Sequence, residues 1–292
     1  MARNHRRPRV HQPTRNLRRH GRERDSGPRL LRGPPRRGRR PGAVGYPTSS
    51  QIGQTTSVYI AEGYGYDLDG AYQIFERGAI YGSRVTDYYG EVDASGTFVV
   101  KGGSSPFKAV HDSVGGGGGF LSYPISNEVR QAPGYWYQEF LSGDIYVSPS
   151  GAFPVYWYWG GYDYNQMGGG SSAIGYPTGN LVVQGSHYAY QRFERGILYT
   201  LPDCYACDLP PIGVPVKGGF ISAHAARGGG SGSLGYPRSA ETYNSSTRTW
   251  TQVFERGRIE IGPGGTRYFT GKFWTEGFAL QSDRQALRTV DS

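Results

Sequence analysis

One phrase recurs four times along this 292-residue chain: a glycine run, a Tyr-Pro corner, then Gln-x-Phe-x-x-Gly-x-(Ile/Leu), usually closed by Tyr. The copies are Tyr46-Pro47 with Gln73 to Tyr81, Tyr123-Pro124 with Gln138 to Tyr146, Tyr176-Pro177 with Gln191 to Tyr199, and Tyr236-Pro237 with Gln252 to Ile259. From Phe to Phe the steps are 65, 53 and 61 residues. Such a spacing is longer than most solenoid periods and close to one four-stranded propeller blade. A chain built this way must present any functional surface several times over.

Within each copy the pieces have local meanings. Gln and Phe sit two apart and so share one face of a strand. The two residues after Phe, followed by Gly, fit a three-residue hairpin closed by a left-handed Gly, with Glu-Arg exposed at its tip. Phe75 and Ile80, Phe193 and Leu198, and Phe254 and Ile259 then flank hairpins and are expected in the core. Segments 107–114 and 220–227 are expected to form short helical turns stopped by glycine runs that accept positive φ. Gly115 to Gly119 reads as a flexible connector. The two insertions, a Gly/Tyr-rich stretch around Gly63 to Tyr66 and Cys204 to Cys207 between prolines, read as loops. The predicted fold is all-β with short helical turns, a β-propeller-like domain of four recognisable repeats, either closed or an incomplete five-bladed ring.

Charge divides the chain. Residues 1–42 hold 15 arginines against Glu23 and Asp25, a net +13, whereas residues 43–292 hold 17 basic and 21 acidic residues, a net −4. The overall +9 is therefore a property of the arm. With no apolar periodicity, the arm is expected to be disordered. Its arginines suit phosphate or acidic-polymer binding, but Arg, Gly and Pro also have GC-rich codons, so a misplaced start produces the same mixture. The first repeat lacks the segment that precedes Tyr-Pro in the others, as if upstream sequence were missing. No secretory pattern opens the chain, and no window approaches the ~18 apolar residues needed to cross a bilayer. The domain boundaries read as an arm at 1–42, repeats at about 43–103, 104–158, 159–217 and 218–271 within a domain ending near 274, and a tail at 275–292.

Catalytic patterns are missing: there is no nucleophile elbow, no His-Glu-x-x-His and no phosphate-cradling loop. Glu76, Glu194 and Glu255 recur in like environments, whereas a general acid and base need unlike ones. No metal site is expected, since zinc needs about four ligands and Cys204 and Cys207 are the only cysteines. In an oxidising compartment those two read as a structural disulfide. The positive signal is aromatic, with 24 Tyr and 5 Trp. Most such rings pack between sheets, while the remainder suit stacking on the C–H faces of sugars. The candidate contacts are the corners Tyr46, Tyr123, Tyr176 and Tyr236 and the tips Arg77, Arg195 and Arg256.

The spelling resembles the LGFP repeat family, whose Leu-Gly-Phe-Pro corner appears here as Leu234-Gly235-Tyr236-Pro237 and Ile174-Gly175-Tyr176-Pro177. The likeness spans residues 43–271, with Tyr for the corner Phe throughout. Repeat two departs further, with Ser122 for Gly and Leu141-Ser142 for Glu-Arg. The resemblance implies an actinobacterial cell-envelope module with a β-propeller fold, extracellular or wall-located, that binds wall polysaccharide and is often appended to exported wall-modifying enzymes. Here no such enzyme domain accompanies the repeats. The expected function is thus non-catalytic binding of a wall polysaccharide of the arabinogalactan or peptidoglycan type, with no cofactor. Two alternatives stand beside it: nucleic-acid or acidic-polymer binding through the arm, and a glycan-active enzyme.

Overall fold

A computed structural model describes residues 42–61, 64–87, 92–185, 188–201 and 212–271. The arm, the C-terminal tail and the Cys204/Cys207 insertion lie outside these residues. Four separate four-stranded antiparallel meanders follow one another along the chain. The first contains β1 (Ile52–Ala61), β2 (Tyr64–Phe75), β3 (Gly78–Asp87) and β4 (Val92–Lys101). The second contains β5 (Val129–Ala132), β6 (Tyr135–Phe140), β7 (Gly143–Ser148) and β8 (Gly151–Tyr156). The third contains β9 (Val182–Val183), β10 (Ala189–Phe193), β11 (Gly196–Leu201) and β12 (Ile212–Lys217). The fourth contains β13 (Thr242–Asn244), β14 (Thr249–Phe254), β15 (Gly257–Gly262) and β16 (Gly265–Thr270).

Short helices occupy the connections: α1 (Phe107–Ser113), α2 (Gly161–Gln166) and α3 (Gly219–Ala225). The first and third fall where the sequence predicts helical turns. The second was not foreseen, because its Gly-Tyr-Asp-Tyr-Asn run has weak helix propensity. What holds it is packing, since Tyr164 is fully buried between neighbouring sheets. Each helix runs into a 3-10 turn of glycines, and then into the Tyr-Pro corner. Gly115 to Gly119 is therefore an ordered turn and not a flexible connector. A Cβ on Gly117, Gly170 or Gly230 would sit 2.7, 2.3 or 2.9 Å from the ring of Tyr123, Tyr176 or Tyr236. The glycine run exists so that the corner ring can lie against bare backbone.

Two other expectations are corrected. From Tyr64 on, the Gly/Tyr-rich insertion of the first repeat is not a loop but strand, with Ile52 to Ala61 paired to Tyr72 to Tyr64, while Gly63 lies outside the described residues. Alternating Tyr and Gly suits an extended backbone, and pairing satisfies its amides. The motif hairpin has a two-residue loop and not a three-residue one, because Phe75 pairs directly with Gly78, Phe140 with Gly143, Phe193 with Gly196 and Phe254 with Gly257. The glycine is needed for close approach: a Cβ there would lie 2.4 Å from Val155 O at Gly143 and 2.0 Å from Phe269 O at Gly257.

Three hydrophobic clusters lie along the array, each shared by a sheet and its successor. Phe75, Phe193, Phe254, Leu198 and Ile259 are buried as expected, and Ile80 is partly buried. Stability is thus stored at the seams between repeats, as in quasi-one-dimensional proteins.

Candidate functional site

The recurrent polar groups of the motif build the seams. One amide N–H of Gln138, Gln191 and Gln252 donates to its own corner, at Ser126 O, Gly179 O and Ser239 O, all at 2.9 Å. The same Nε2 also donates to the last strand of the preceding sheet, at Val99 O (3.0 Å), Pro154 O (2.9 Å) and Pro215 O (2.9 Å). A neutral carboxamide is the smallest side chain that donates twice without burying a charge.

The Glu-Arg tip, with its arginines exposed as expected, also bonds back to the corner. Oε2 of Glu76, Glu194 and Glu255 accepts from the backbone N–H of Tyr46, Tyr176 and Tyr236, at 3.3, 3.3 and 3.2 Å. Arg195 donates to Ala173 O (3.0 Å) and Ser172 O (2.9 Å), Arg256 to Ser233 O (3.1 Å) and Gly232 O, and Arg77 to Gly42 O (3.3 Å). These guanidinium groups cap the carbonyls of the turn before the corner, though about half of each arginine side chain remains exposed.

The corner tyrosines divide. Tyr123, Tyr176 and Tyr236 are buried, and only Tyr46 is substantially exposed, at 39%. Tyr123 packs edge-on against Tyr81, Tyr176 against Tyr146 and Tyr236 against Tyr199, with centroids 4.9, 5.7 and 5.6 Å apart. The hydroxyls of Tyr176 and Tyr236 donate to Gln131 and Gln184. Three of the four corner rings therefore have no free face for a ligand, and their site is the seam interior.

The residues that sequence reasoning missed lie where repeats three and four meet. A groove of about 600 Å³ opens there, lined by Ala173, Arg195, the Lys217 to Ile221 segment, Glu241, Trp250 and Ile261. Trp250 is 44% exposed, and its ring lies 4.8 Å from that of Tyr243, which is also exposed. Strand pairing makes this row: Tyr243 opposes Trp250, and Trp250 opposes Ile261. Lys217 Nζ and Glu241 Oε1 pair at 2.8 Å, and Glu194 pairs with Arg195 at 3.5 Å, so each cation at the groove has an adjacent carboxylate. The signal was in the sequence, since Trp250 and Gln252 share a strand face, but nothing local distinguishes a ring at the open margin of a seam from one inside it.

The LGFP repeat family matches residues 121–171, from the second corner through the following glycine run, and the chain carries that repeat. No curated protein matches the chain. Among the described residues no helix is long and apolar enough to cross a membrane.

Proposed function

We propose that this chain is a non-catalytic module that binds cell-wall polysaccharide of the arabinogalactan or peptidoglycan type, outside the cell, with its four meanders arranged in propeller-like fashion. The observation that carries the reading is the groove between repeats three and four. It is concave and largely apolar, is lined by the exposed Trp250 with Tyr243 beside it, and has its charges already paired. Such a surface favours polyhydroxylated rings, whose C–H faces stack on indole while their hydroxyls meet a few fixed polar groups. The wall context is what the resemblance to the LGFP repeat family implies, a family whose model matches residues 121–171. The cofactor-free, non-catalytic part of the reading is supported by how the recurrent groups are used: Gln, Glu and Arg of the motif are engaged in holding corners and seams.

The test is co-sedimentation of the full chain with delipidated actinobacterial cell wall. Binding that persists at moderate ionic strength and is competed by soluble arabinogalactan is expected. A chain that stays in the supernatant at low and moderate salt alike overturns the reading. Binding that collapses with salt and is competed by nucleic acid instead assigns the activity to the Arg-rich arm.

A further inference from the structure

Seams one–two and three–four are built from the same parts. Lys101 and Lys217 each sit opposite the motif glycine, paired with Gly78 and Gly196. Each reaches a glutamate four residues after the next corner proline, Glu128 or Glu241, at 2.8 Å. Trp136 and Trp250 occupy the same strand position, two before the motif Gln. The two glutamates are nearly buried, with side chains 7% and 10% exposed.

They differ in how the second carboxylate oxygen is satisfied. In seam one–two, five residues, Gly102 to Pro106, join β4 to α1, and the hydroxyl of Ser105 donates to Glu128 Oε1 at 2.8 Å. In seam three–four, Gly218 alone joins β12 to α3, and the connection holds no counterpart of Ser105. Glu241 Oε2 is buried and accepts no hydrogen bond from any described residue. A buried carboxylate oxygen left without a donor is costly, and this one belongs to a residue that lines the open groove.

We infer that the groove between repeats three and four is a saccharide subsite in which a ligand hydroxyl donates to Glu241 Oε2, taking the place that Ser105 fills in seam one–two. The neighbouring hydroxyl accepts from Lys217 Nζ, and the sugar ring lies on Trp250. The Lys–Glu pair presents an acceptor and a donor side by side, which matches a vicinal diol. The adjacent carboxylates leave no unmatched cation to favour a charged ligand. This inference rests on the polysaccharide reading above and adds to it the place, the recognised group and the neutrality of the ligand.

The experiment titrates the full chain with soluble arabinogalactan, reading tryptophan fluorescence and calorimetry, after thermal melts confirm that each variant folds. Glu241→Gln and Trp250→Ala are each expected to weaken binding about tenfold or more, Trp250→Phe to retain most of it, and Glu128→Gln, in the self-satisfied seam, to leave it unchanged. Arabinogalactan whose vicinal diols have been cleaved with periodate is expected to lose binding to the wild-type chain. If the wild type binds and both Glu241→Gln and Trp250→Ala bind equally well, the groove is not the subsite although the general reading stands. Full binding of the periodate-treated polymer removes the diol. If the wild type does not bind the polymer, the general reading fails and the subsite with it. Trp250-dependent self-association in ultracentrifugation would give the groove to a second copy of the chain and overturn the inference.

Discussion

The seam between repeats two and three does the same job as its neighbours with different residues. In every seam the carbonyl just before the corner tyrosine is buried and needs a donor. His111 contacts Ser122 O and His224 contacts Gly235 O, each at 2.8 Å through Nε2, whereas Tyr164 donates its hydroxyl to Gly175 O at the same distance. Each of these rings is sandwiched in the same way, between Tyr81 and Phe140, between Tyr146 and Phe193, or between Tyr199 and Phe254. At the seam margin, the Lys–Glu pair of the outer seams is replaced by Tyr156, opposite Gly143, and by Leu181. The middle seam also buries Asp144, which accepts from Asn165 of α2 at 2.6 Å, where the other repeats place Ala79, Ile197 and Arg258.

The differences of repeat two fall at neighbouring positions of its corner. Repeat two has Ser122 where the other corners have glycine, and Leu141 where the other tips have glutamate. These two departures are sterically linked. A Cβ on Gly45, Gly175 or Gly235 would fall 2.4–2.5 Å from the carboxylate of Glu76, Glu194 or Glu255. A side chain at the corner must therefore displace the glutamate carboxylate from the corner amide. The repeat is thus better regarded as a seam than as a sheet.

Acidity provides the largest expected contrast. Burial pushes the Asp144 carboxyl up to about 7, against the opposing hydrogen bond from Asn165. A carboxyl raised in the folded state binds its proton there when the unfolded chain has released it. Its contribution is therefore fully present below the unfolded value near 4 and is lost as pH rises through about 7. The slope is at most about 1.4 kcal/mol per pH unit, on the order of 4 kcal/mol across that window. The outer seams have the opposite sign. Burial lowers the His111 and His224 values, so their contribution is present above about 6.5 and is lost as pH falls towards the lowered folded values. In melts from pH 4 to 8, Asp144→Asn is expected to be more stable than the wild type at pH 8 and to become steadily less stable on acidification. Adding His111→Tyr and His224→Tyr, which copy the middle seam, should flatten what remains. A parent and an Asp144→Asn variant with parallel pH profiles would show that the middle seam does not bury a titrating group.

The corner–tip coupling is the next effect in size. Gly235→Ser places a side chain at φ +75° and against Glu255. A loss of about 2–3 kcal/mol is expected, from the left-handed backbone plus displacement of the carboxylate. Combining it with Glu255→Leu, the repeat-two pair, should recover part of that loss. The recovery, measured as the coupling term of a double-mutant cycle by denaturant unfolding, is the diagnostic quantity. Strict additivity would mean that repeat two acquired its two departures independently.

The repeat unit, the strand faces and two of three helices were legible in the sequence because they depend on local pattern: Gln and Phe two apart, and glycine runs that stop segments 107–114 and 220–227. What could not be read was anything decided between repeats. Arg195 is an exposed tip, as its spacing promises, but its guanidinium also bonds Ser172 and Ala173 of the turn before the corner, which no local pattern reveals. Tyr176 looks like a contact residue until Tyr146 of the previous repeat covers it. Trp250 is the reverse case: its strand position promises burial, yet it lies at the margin where the seam opens. Glu241 carries no motif at all, and its meaning comes from a carboxylate oxygen that only the short Gly218 connection leaves without a donor.

The smallest expected effect tests the same comparison from the other side. Ser122 holds φ +61°, a conformation that costs little for glycine and more for serine, and its buried hydroxyl makes no hydrogen bond with any described residue. Ser122→Gly relieves both the backbone strain and the orphaned hydroxyl, while giving the unfolded chain more freedom, which offsets about 0.4–1 kcal/mol. The balance favours the variant by about 1 kcal/mol, enough to read as a rise in melting temperature. Ser122→Gly with Leu141→Glu then rebuilds the arrangement of the other repeats, a carboxylate accepting from the Tyr123 amide. If serine here is only a tolerated departure, the double variant should be at least as stable as Ser122→Gly alone. If Leu141, which is 2% exposed and part of the first core cluster, has become essential packing for seam one–two, the double variant should instead fall below the wild type, because a charge would enter an apolar site. That second outcome would mean that repeat two has settled into its own solution and that the corner–tip coupling, once broken, is not reversible by restoring the two residues alone.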